Sequence, residues 1–323
     1  MNILITGCAG FIGFHTTLKF INSNKKKIYG IDNLDEYYNL KLKKDRLKIL
    51  KKDPTKFEFK KLDISNINLL KKYIIEKKID IIINLAAQAG VRHSIYEPEK
   101  YFKSNVQGFF NILESCKEFK IKHLIFASTS SVYGASQNLP SDESHHTSKP
   151  LSFYAASKKS NEVFAYSYSN IYKIPITGLR FFTVYGPFGR PDMALYKFID
   201  NIYMNKKIPV FNFGKHKRDF TFIDDVVESL YKIVNKIPKT KIPFQIFNVG
   251  SNNPKNLKYF IKVIERNLKL KAKINNLPLQ KGDIKNTHAD ISNLIDEIGY
   301  KPRYDIENGI KEFISWYKAY YKK

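Results

Sequence analysis

Cysteine is nearly absent from these 323 residues, which carry only Cys8 and Cys116. Two thiols so far apart offer no disulfide framework and no metal-ligand spacing, and the seven histidines, His145-His146 among them, add none. Long apolar runs are missing as well. No stretch approaches a membrane span, and Met1 leads directly into strand-like sequence rather than a charged region and cleavage site. A soluble, cytoplasmic protein with no membrane partner is expected. Neither an internal repeat nor a low-complexity linker divides the chain.

Acidic residues are also scarce, 30 against 55 Lys and Arg, for a formal charge of +25. Such a surface attracts phosphate without reading sequence. The excess is lysine in runs such as Lys25 to Lys27, Lys51-Lys52, Lys60-Lys61 and Lys77-Lys78, beside abundant Ile, Asn, Phe and Tyr. That is the joint signature of an AT-rich coding sequence, and it reads as solvated helix faces with no nucleic-acid partner. Arginine is kept only at positions 46, 92, 180, 190, 218, 266 and 303. Where lysine is so strongly preferred, a retained guanidinium marks a place that needs its planar fork. Arg190 and Arg218, both in the Gly- and Pro-punctuated second half, are candidates for gripping anions.

At 43% hydrophobic, the chain has enough apolar material for a substantial core. Asn2 to Thr6 reads as a buried strand, and Gly7-Cys8-Ala9-Gly10-Phe11-Ile12-Gly13 turns it into a helix running to about Asn22. Glycines at this spacing permit a tight turn and close approach of the backbone to a pyrophosphate, seated on the helix N-terminus. Cys8 reads as a small filler residue, since no activating base lies nearby. Tyr29 to Asp32 is a second strand ending in an acid, about 20 residues beyond the loop, where a carboxylate meets an adenosine ribose. Asn33-Leu34-Asp35-Glu36 would repel an extra 2′-phosphate, so the expected cofactor is NAD rather than NADP.

A lysine-rich helical insertion spans Tyr37 to Lys52. Strands follow at Phe57 to Lys60, Asp80 to Leu85, His123 to Ala127 and Ile176 to Phe181, with Phe244 to Asn248 as a further one. Pro98 begins a long helix reaching Phe119, and another helix covers Phe153 to Tyr172. This alternation gives an α/β, Rossmann-like doubly wound parallel sheet. After Thr183-Val184-Tyr185-Gly186-Pro187-Phe188-Gly189-Arg190-Pro191 the texture changes to a smaller C-terminal α/β substrate domain. It has a helix near Ala194 to Asn205, a strand around Val210 to Phe213 and a closing helix from Glu307 to Tyr320. The expected division is 1–182 plus about 220–250 for NAD, and 183–219 plus about 251–323 for the substrate.

Tyr154 and Lys158 stand four residues apart, one face of a helix. A reference phenol titrates near ~10, so bringing it to about 7 takes roughly 4 kcal/mol in favour of the phenolate. A lysine and a bound cationic cofactor can supply that jointly. The spacing recurs at Tyr37/Lys41, Tyr73/Lys77, Tyr96/Lys100 and Tyr203/Lys207. What singles out Tyr154 is the strand end Ser128-Thr129-Ser130-Ser131 upstream, together with the glycine loop.

These residues resemble the extended short-chain dehydrogenase/reductase enzymes that act on nucleotide sugars. The general marks are the glycine triplet, the Ser/Thr-rich strand end with Val132-Tyr133-Gly134, and Tyr-x-x-x-Lys. Narrower segments are similar to those of the UDP-glucuronate 4-epimerases. They are Asp32-Asn33-Leu34 with Tyr37-Tyr38, Ala86-Ala87-Gln88-Ala89-Gly90-Val91-Arg92, Arg180 to Pro187, Gly189 to Ala194, and Arg218-Asp219-Phe220-Thr221. The resemblance implies Tyr154, Lys158, Thr129 and Ser130 as catalytic, with Lys158 lowering the Tyr154 pKa. It implies NAD contacts from Gly7, Gly10, Phe11, Ile12, Gly13, Asp32, Asn33, Asp63, Ile64, Leu85, Ala86, Ala87, Gln88, Asn105 and Phe181, besides Tyr154 and Lys158. For a UDP-sugar it implies Arg92, Thr129, Ser130, Ser131, Thr183, Arg190, Ala194, Val210, Phe211, Arg218 and Asp283. Within that set Thr183 and the Arg190 fork would hold a glucuronate carboxylate, and Arg218 and Arg92 the pyrophosphate. Alternative roles are a strand cap for Thr183, a loop-pinning salt bridge for Arg190, and backbone satisfaction for Ser128 and Ser131.

The implied reaction is inversion at carbon 4 through a 4-keto sugar, for polysaccharide biosynthesis, by a homodimer paired through helices 98–119 and 153–172. The alternatives are a neutral UDP-hexose 4-epimerase or a UDP-glucuronate decarboxylase. Relatives that decarboxylate commonly carry a glutamate where this chain has Ser131. Departures from the usual pattern are Cys8 for alanine and Lys281 where a proline precedes Gly282-Asp283.

Overall fold

The computed structural model describes residues 1–23, 27–136 and 138–323; Lys25 and Lys26 of the first lysine run lie outside them. Six strands in chain order, β1 (Ile3–Thr6), β2 (Ile28–Asp32), β3 (Phe57–Lys61), β4 (Ile81–Asn84), β5 (His123–Thr129) and β6 (Ile176–Phe181), join Phe244–Val249 in one sheet. From that last strand the spatial order is β6, β5, β4, β1, β2, β3, and all pairings are parallel. Helices cover both faces, so β1 and β4 are buried at every residue and need no polar alternation. The strand order reverses between β1 and β4, and the crevice beyond their C-terminal ends is where such sheets bind ligands.

Two glycines fix the first turn. Gly7 has φ +68°, and a Cβ there would lie 2.7 Å from the Ala86 nitrogen; at Gly13 a Cβ would lie 2.0 Å from the Gly7 carbonyl oxygen. Cys8 is fully buried beside Gly30, and burial pushes its thiol well up.

The helix Phe153–Tyr172 falls where expected. The long helix from Pro98 instead contains a π-helical turn, Phe102–Gln107, before continuing as Gly108–Glu118. The widened turn aims Asn105 inward, where its Oδ1 accepts the Gln88 N–H at 2.8 Å and its Nδ2 donates to the Gln88 carbonyl at 3.0 Å. In the second half the strand expected at Val210 to Phe213 is Lys207–Phe211. It stops early because Asn212 and Phe213 take φ +49° and +51°, which ends an extended chain. Helices Ile223–Ile233 and Leu257–Leu268 were not anticipated; both carry apolar stripes that face the core. The closing helix runs Ile306–Tyr321.

Among the described residues no helix is long and apolar enough to cross a membrane, and no group of three or more His, Cys, Asp or Glu gathers as metal ligands.

Candidate active site

One continuous cavity of about 810 Å³ runs from the glycine turn across the ends of β4, β5 and β6 to the loops of the second half. At its first end, Gly7, Gly10, Phe11, Ile12 and Gly13 present a helix N-terminus. Asp32 closes β2 with its carboxylate fixed by the N–H groups of Ala9 at 3.1 Å and Leu34 at 2.8 Å. Asn33 donates to Asp63 at 3.0 Å, and Ile64 lies beside them on the wall. Leu85, Ala86, Ala87 and Gln88 form the floor, steadied where the Thr6 hydroxyl accepts the Ala86 N–H at 3.0 Å. A helix N-terminus reached through a glycine turn whose Cys8 and Ala9 side chains are buried, followed by an acid at the next strand end, fits the pyrophosphate and ribose of a dinucleotide. Phe181 also lines the cavity. Asn105 does not: it is buried behind the floor, holding Gln88 and Ser157.

The middle of the cavity gathers Thr129, Ser130, Tyr154 and Lys158, the residues expected to be catalytic. Ser152 caps the helix Phe153–Tyr172 by accepting the Ala155 N–H at 3.1 Å, which places Tyr154 in the first turn. Tyr154, Lys158 and Glu162 then follow at four-residue steps along one face. Glu162 is the anchor. It accepts Ser128 Oγ at 2.7 Å and two bonds from Arg180, each 2.9 Å, so the helix is bolted to β5 and β6. Thr129, Ser130 and Ser131 sit on the wall at the end of β5, where the Thr129 hydroxyl accepts the Ser131 N–H at 3.2 Å and donates to its hydroxyl at 3.2 Å.

Burial raises the Tyr154 phenol, while a hydrogen bond with Thr129 and the charge of Arg190 pull it back. Arg190 is the cation that lowers it, while Lys158 is turned to the backbone. Its Nζ donates to the Ala127 carbonyl at 2.9 Å, because the long side chain runs beneath the wall to β5. Lys158 was expected to lower the Tyr154 pKa; in the structure its ammonium is bonded to Ala127, and the groups that pull the phenol down are Thr129 and Arg190.

Burial also pushes the Lys158 ammonium down to about 8. The unfolded chain then binds more protons than the native one between pH 8 and the usual lysine value near ~10.4, so stability rises with pH across that window. Lys158→Met should accordingly be more stable than wild type at pH 7 by about 2 kcal/mol, the roughly 3 kcal/mol gained by removing the buried charge less about 1 kcal/mol for the lost bond to Ala127, while losing activity. Thermal unfolding from pH 7 to 10 checks this; an advantage that does not shrink as pH rises would contradict it.

At the far end, Thr183, Arg190, Ala194, Phe211, Arg218, Arg92 and Asp283 all reach the cavity. Val210 does not, being buried in the core behind Phe211. Each arginine is engaged. Arg92 donates to Asp283 at 3.2 Å and lies over the Phe211 ring at 4.8 Å. Arg218 donates to the carbonyls of Lys285, at 2.6 Å, and Ile284; burial with no carboxylate bonded to it lowers it to about 10. Arg190 pairs with Asp192 through both Nε and Nη2, so the loop-pinning alternative is realised even though the side chain lines the cavity. The expected free fork for a carboxylate is thus taken by Asp192.

Sequence reasoning missed Asp192, Tyr37, Lys43 and His216, all on the cavity wall. Lys43 Nζ lies 3.8 Å from Asp32, and burial holds the His216 imidazole neutral, down to about 4. Asp192 and Tyr37 stood inside the segments quoted for the resemblance, but local spacing could not reveal their pairing across 155 positions.

The profile of the NAD dependent epimerase/dehydratase family matches residues 3–250. Protein CapI of Staphylococcus aureus is 44% identical over 337 residues, covering 100% of both chains. A probable UDP-glucuronate 4-epimerase of Rhizobium meliloti is 38% identical over 338 residues, covering 100% of this chain and 98% of that one. The solved UDP-glucuronic acid 4-epimerase from Bacillus cereus, in complex with UDP-glucuronic acid and NAD, superposes with a TM-score of 0.93 at 33% identity, over 99% of this chain and 100% of that one.

Proposed function

This chain belongs to the NAD dependent epimerase/dehydratase family, and we propose that it interconverts UDP-glucuronate and UDP-galacturonate by inverting carbon 4 through a transient 4-keto sugar. The observation that carries the reading is one cavity joining a dinucleotide-type glycine turn to Tyr154 and Thr129, and these to Thr183 and Arg190. Relatives and a solved neighbour named as UDP-glucuronate 4-epimerases, the neighbour bound to NAD and UDP-glucuronic acid, support it.

NAD, when bound, supplies reversible storage for the hydride of carbon 4. Gly7, Gly10 and Gly13 with the helix N-terminus would hold its pyrophosphate, and Asp32 its adenosine ribose. Lys158, whose ammonium keeps two donors beyond the bond to Ala127, would hold the nicotinamide ribose. Tyr154 accepts the proton of the sugar 4-hydroxyl as the ketone forms and returns it when the hydroxyl re-forms on the opposite face. Thr129 and Ser130 orient the reacting oxygen, and Ser131 flanks them. Arg218 and Arg92 take the diphosphate, and Asp283 the uridine ribose. Residues 1–182 with about 220–250 serve the cofactor; 183–219 with about 251–323 serve the sugar nucleotide.

NMR of NAD-loaded protein with UDP-glucuronate should show UDP-galacturonate appearing. No product, or faster turnover of UDP-glucose than of the acid, refutes the assignment. Accumulation of a UDP-pentose would mean decarboxylation instead.

A cytoplasmic homodimer contributing to polysaccharide biosynthesis completes the proposal. Phe102 and Phe110 in the segment 98–118, and Val163, Tyr166 and Ile171 on the helix Phe153–Tyr172, are exposed between 46% and 61%. So much apolar surface on two adjacent helices calls for a cover, and a second copy supplies a matching face. Sedimentation velocity should give twice the chain mass, and Phe110→Glu should give the monomer; a monomeric wild type would end this part of the reading.

A further inference from the structure

The Arg190 guanidinium enters the sugar end of the cavity already paired. Its Nε and Nη2 lie 2.9 and 2.5 Å from the two oxygens of Asp192, leaving Nη1 outside the pair. Asp192 Oδ2 also accepts the Tyr37 hydroxyl at 3.0 Å, and the guanidinium stands 5.7 Å from the centre of the Tyr37 ring. Tyr37 is itself braced: its ring meets His93 edge-on at 4.7 Å, and its hydroxyl fills the space where a Cβ at Gly90 would come within 2.7 Å. Tyr37, Arg190 and Asp192 share the cavity wall with Thr183 and Tyr154.

Charge decides what a sugar carboxylate meets there. Arg190 and Asp192 sum to zero, so the incoming acid finds a cation whose field is largely cancelled and a like charge immediately behind it. A bare guanidinium would hold acid substrate and acid product equally well, and such uniform binding lowers KM without raising kcat. Resting on the acid-sugar reading above, we infer that Asp192 is a specificity-determining counter-charge. It fixes Arg190 from one edge, offers the substrate the remaining edge, and weakens the grip on a sugar carboxylate so that neither acid is trapped. Tyr37 is the positioning residue that keeps Asp192 turned to Arg190.

NAD-loaded wild type and Asp192→Asn test this directly. The amide keeps the shape and an acceptor for Arg190 but removes the charge. KM for UDP-glucuronate should fall at least five-fold, while the inhibition constant of UDP-glucose, which carries no carboxylate, stays within two-fold. A merely structural role would move both ligands together. An unchanged or raised KM for the acid in a folded Asp192→Asn protein overturns the inference. Should that variant fail to fold, Arg190→Met is compared with Arg190→Met/Asp192→Asn, in which no guanidinium is left unpaired. The double variant should bind UDP-glucuronate at least five-fold more tightly by calorimetry, and equal affinities overturn the inference. A wild type that does not turn over UDP-glucuronate removes the parent reading and this one together; a wild type that does, with no tightening on loss of Asp192, removes only this one.

Discussion

Tyr154→Phe is expected to lose about 10³-fold in kcat, roughly 4 kcal/mol of barrier, with KM for UDP-glucuronate and the melting temperature nearly unchanged. The ring still fills its place against Tyr101, whose ring it meets edge-on at 6.2 Å. What disappears is the oxygen that, in the proposed mechanism, exchanges a proton with the 4-hydroxyl. Thr129 cannot substitute, because an aliphatic hydroxyl is far too weak an acid to gain and lose a proton near neutrality. NMR-monitored turnover checks the rate. A sugar deuterated at carbon 4 adds a second check, since the wild type should retain the label without exchange from water. A Tyr154→Phe enzyme within ten-fold of wild type would remove the mechanism.

Glu162→Ala should have the largest effect on stability, about 3–5 kcal/mol. Arg180 is 3% exposed and Glu162 2%, so deleting the carboxylate strands a buried guanidinium whose other acceptors, among the described residues, are the Tyr133 hydroxyl and the Glu143 carbonyl. Replacing both, as Glu162→Leu/Arg180→Met, should recover most of the loss, because no uncompensated charge remains. Burial by itself pushes the Glu162 carboxyl up; the Arg180 bonds and charge, with Ser128, outweigh it and leave the group below its ordinary value. A folded pKa below the unfolded one means the contribution is present above about 4.3 and lost as pH falls through the folded value. Chemical denaturation at pH 7 and at pH 4 should therefore show the gap between wild type and Glu162→Ala narrowing in acid. The variant should also lose activity, since Glu162 sits one and two turns beyond Lys158 and Tyr154 and bonds the residue next to Thr129. A loss below about 1 kcal/mol would mean that Arg180 finds other partners.

Much of this was legible in the chain. The apolar strand Ile81–Asn84 and the glycine turn announce a parallel sheet and its ligand crevice through local rules, because burial on both faces and a tight turn each restrict residue type directly. Tyr154 and Lys158 were legible because a helix converts a spacing of four into a shared face. Arg190 and Arg218 stood out only because arginine is otherwise so rare here.

The sequence alone determined the doubly wound sheet, the place of the dinucleotide turn, the choice of NAD and the pairing of Tyr154 with Lys158 on one helix face, all of which follow from contacts within one or two turns of chain or from residue chemistry. Tertiary structure decided which charge meets which. It bonded Lys158 to the Ala127 carbonyl and brought Arg190 to where its charge acts on the Tyr154 phenol. It paired Asp192 with Tyr37 and left Val210 in the core behind Phe211. Those pairings join residues up to 155 positions apart. The Coulomb energy between two side chains depends on their distance and on the burial around them, and neither quantity exists until the two halves of the chain have packed.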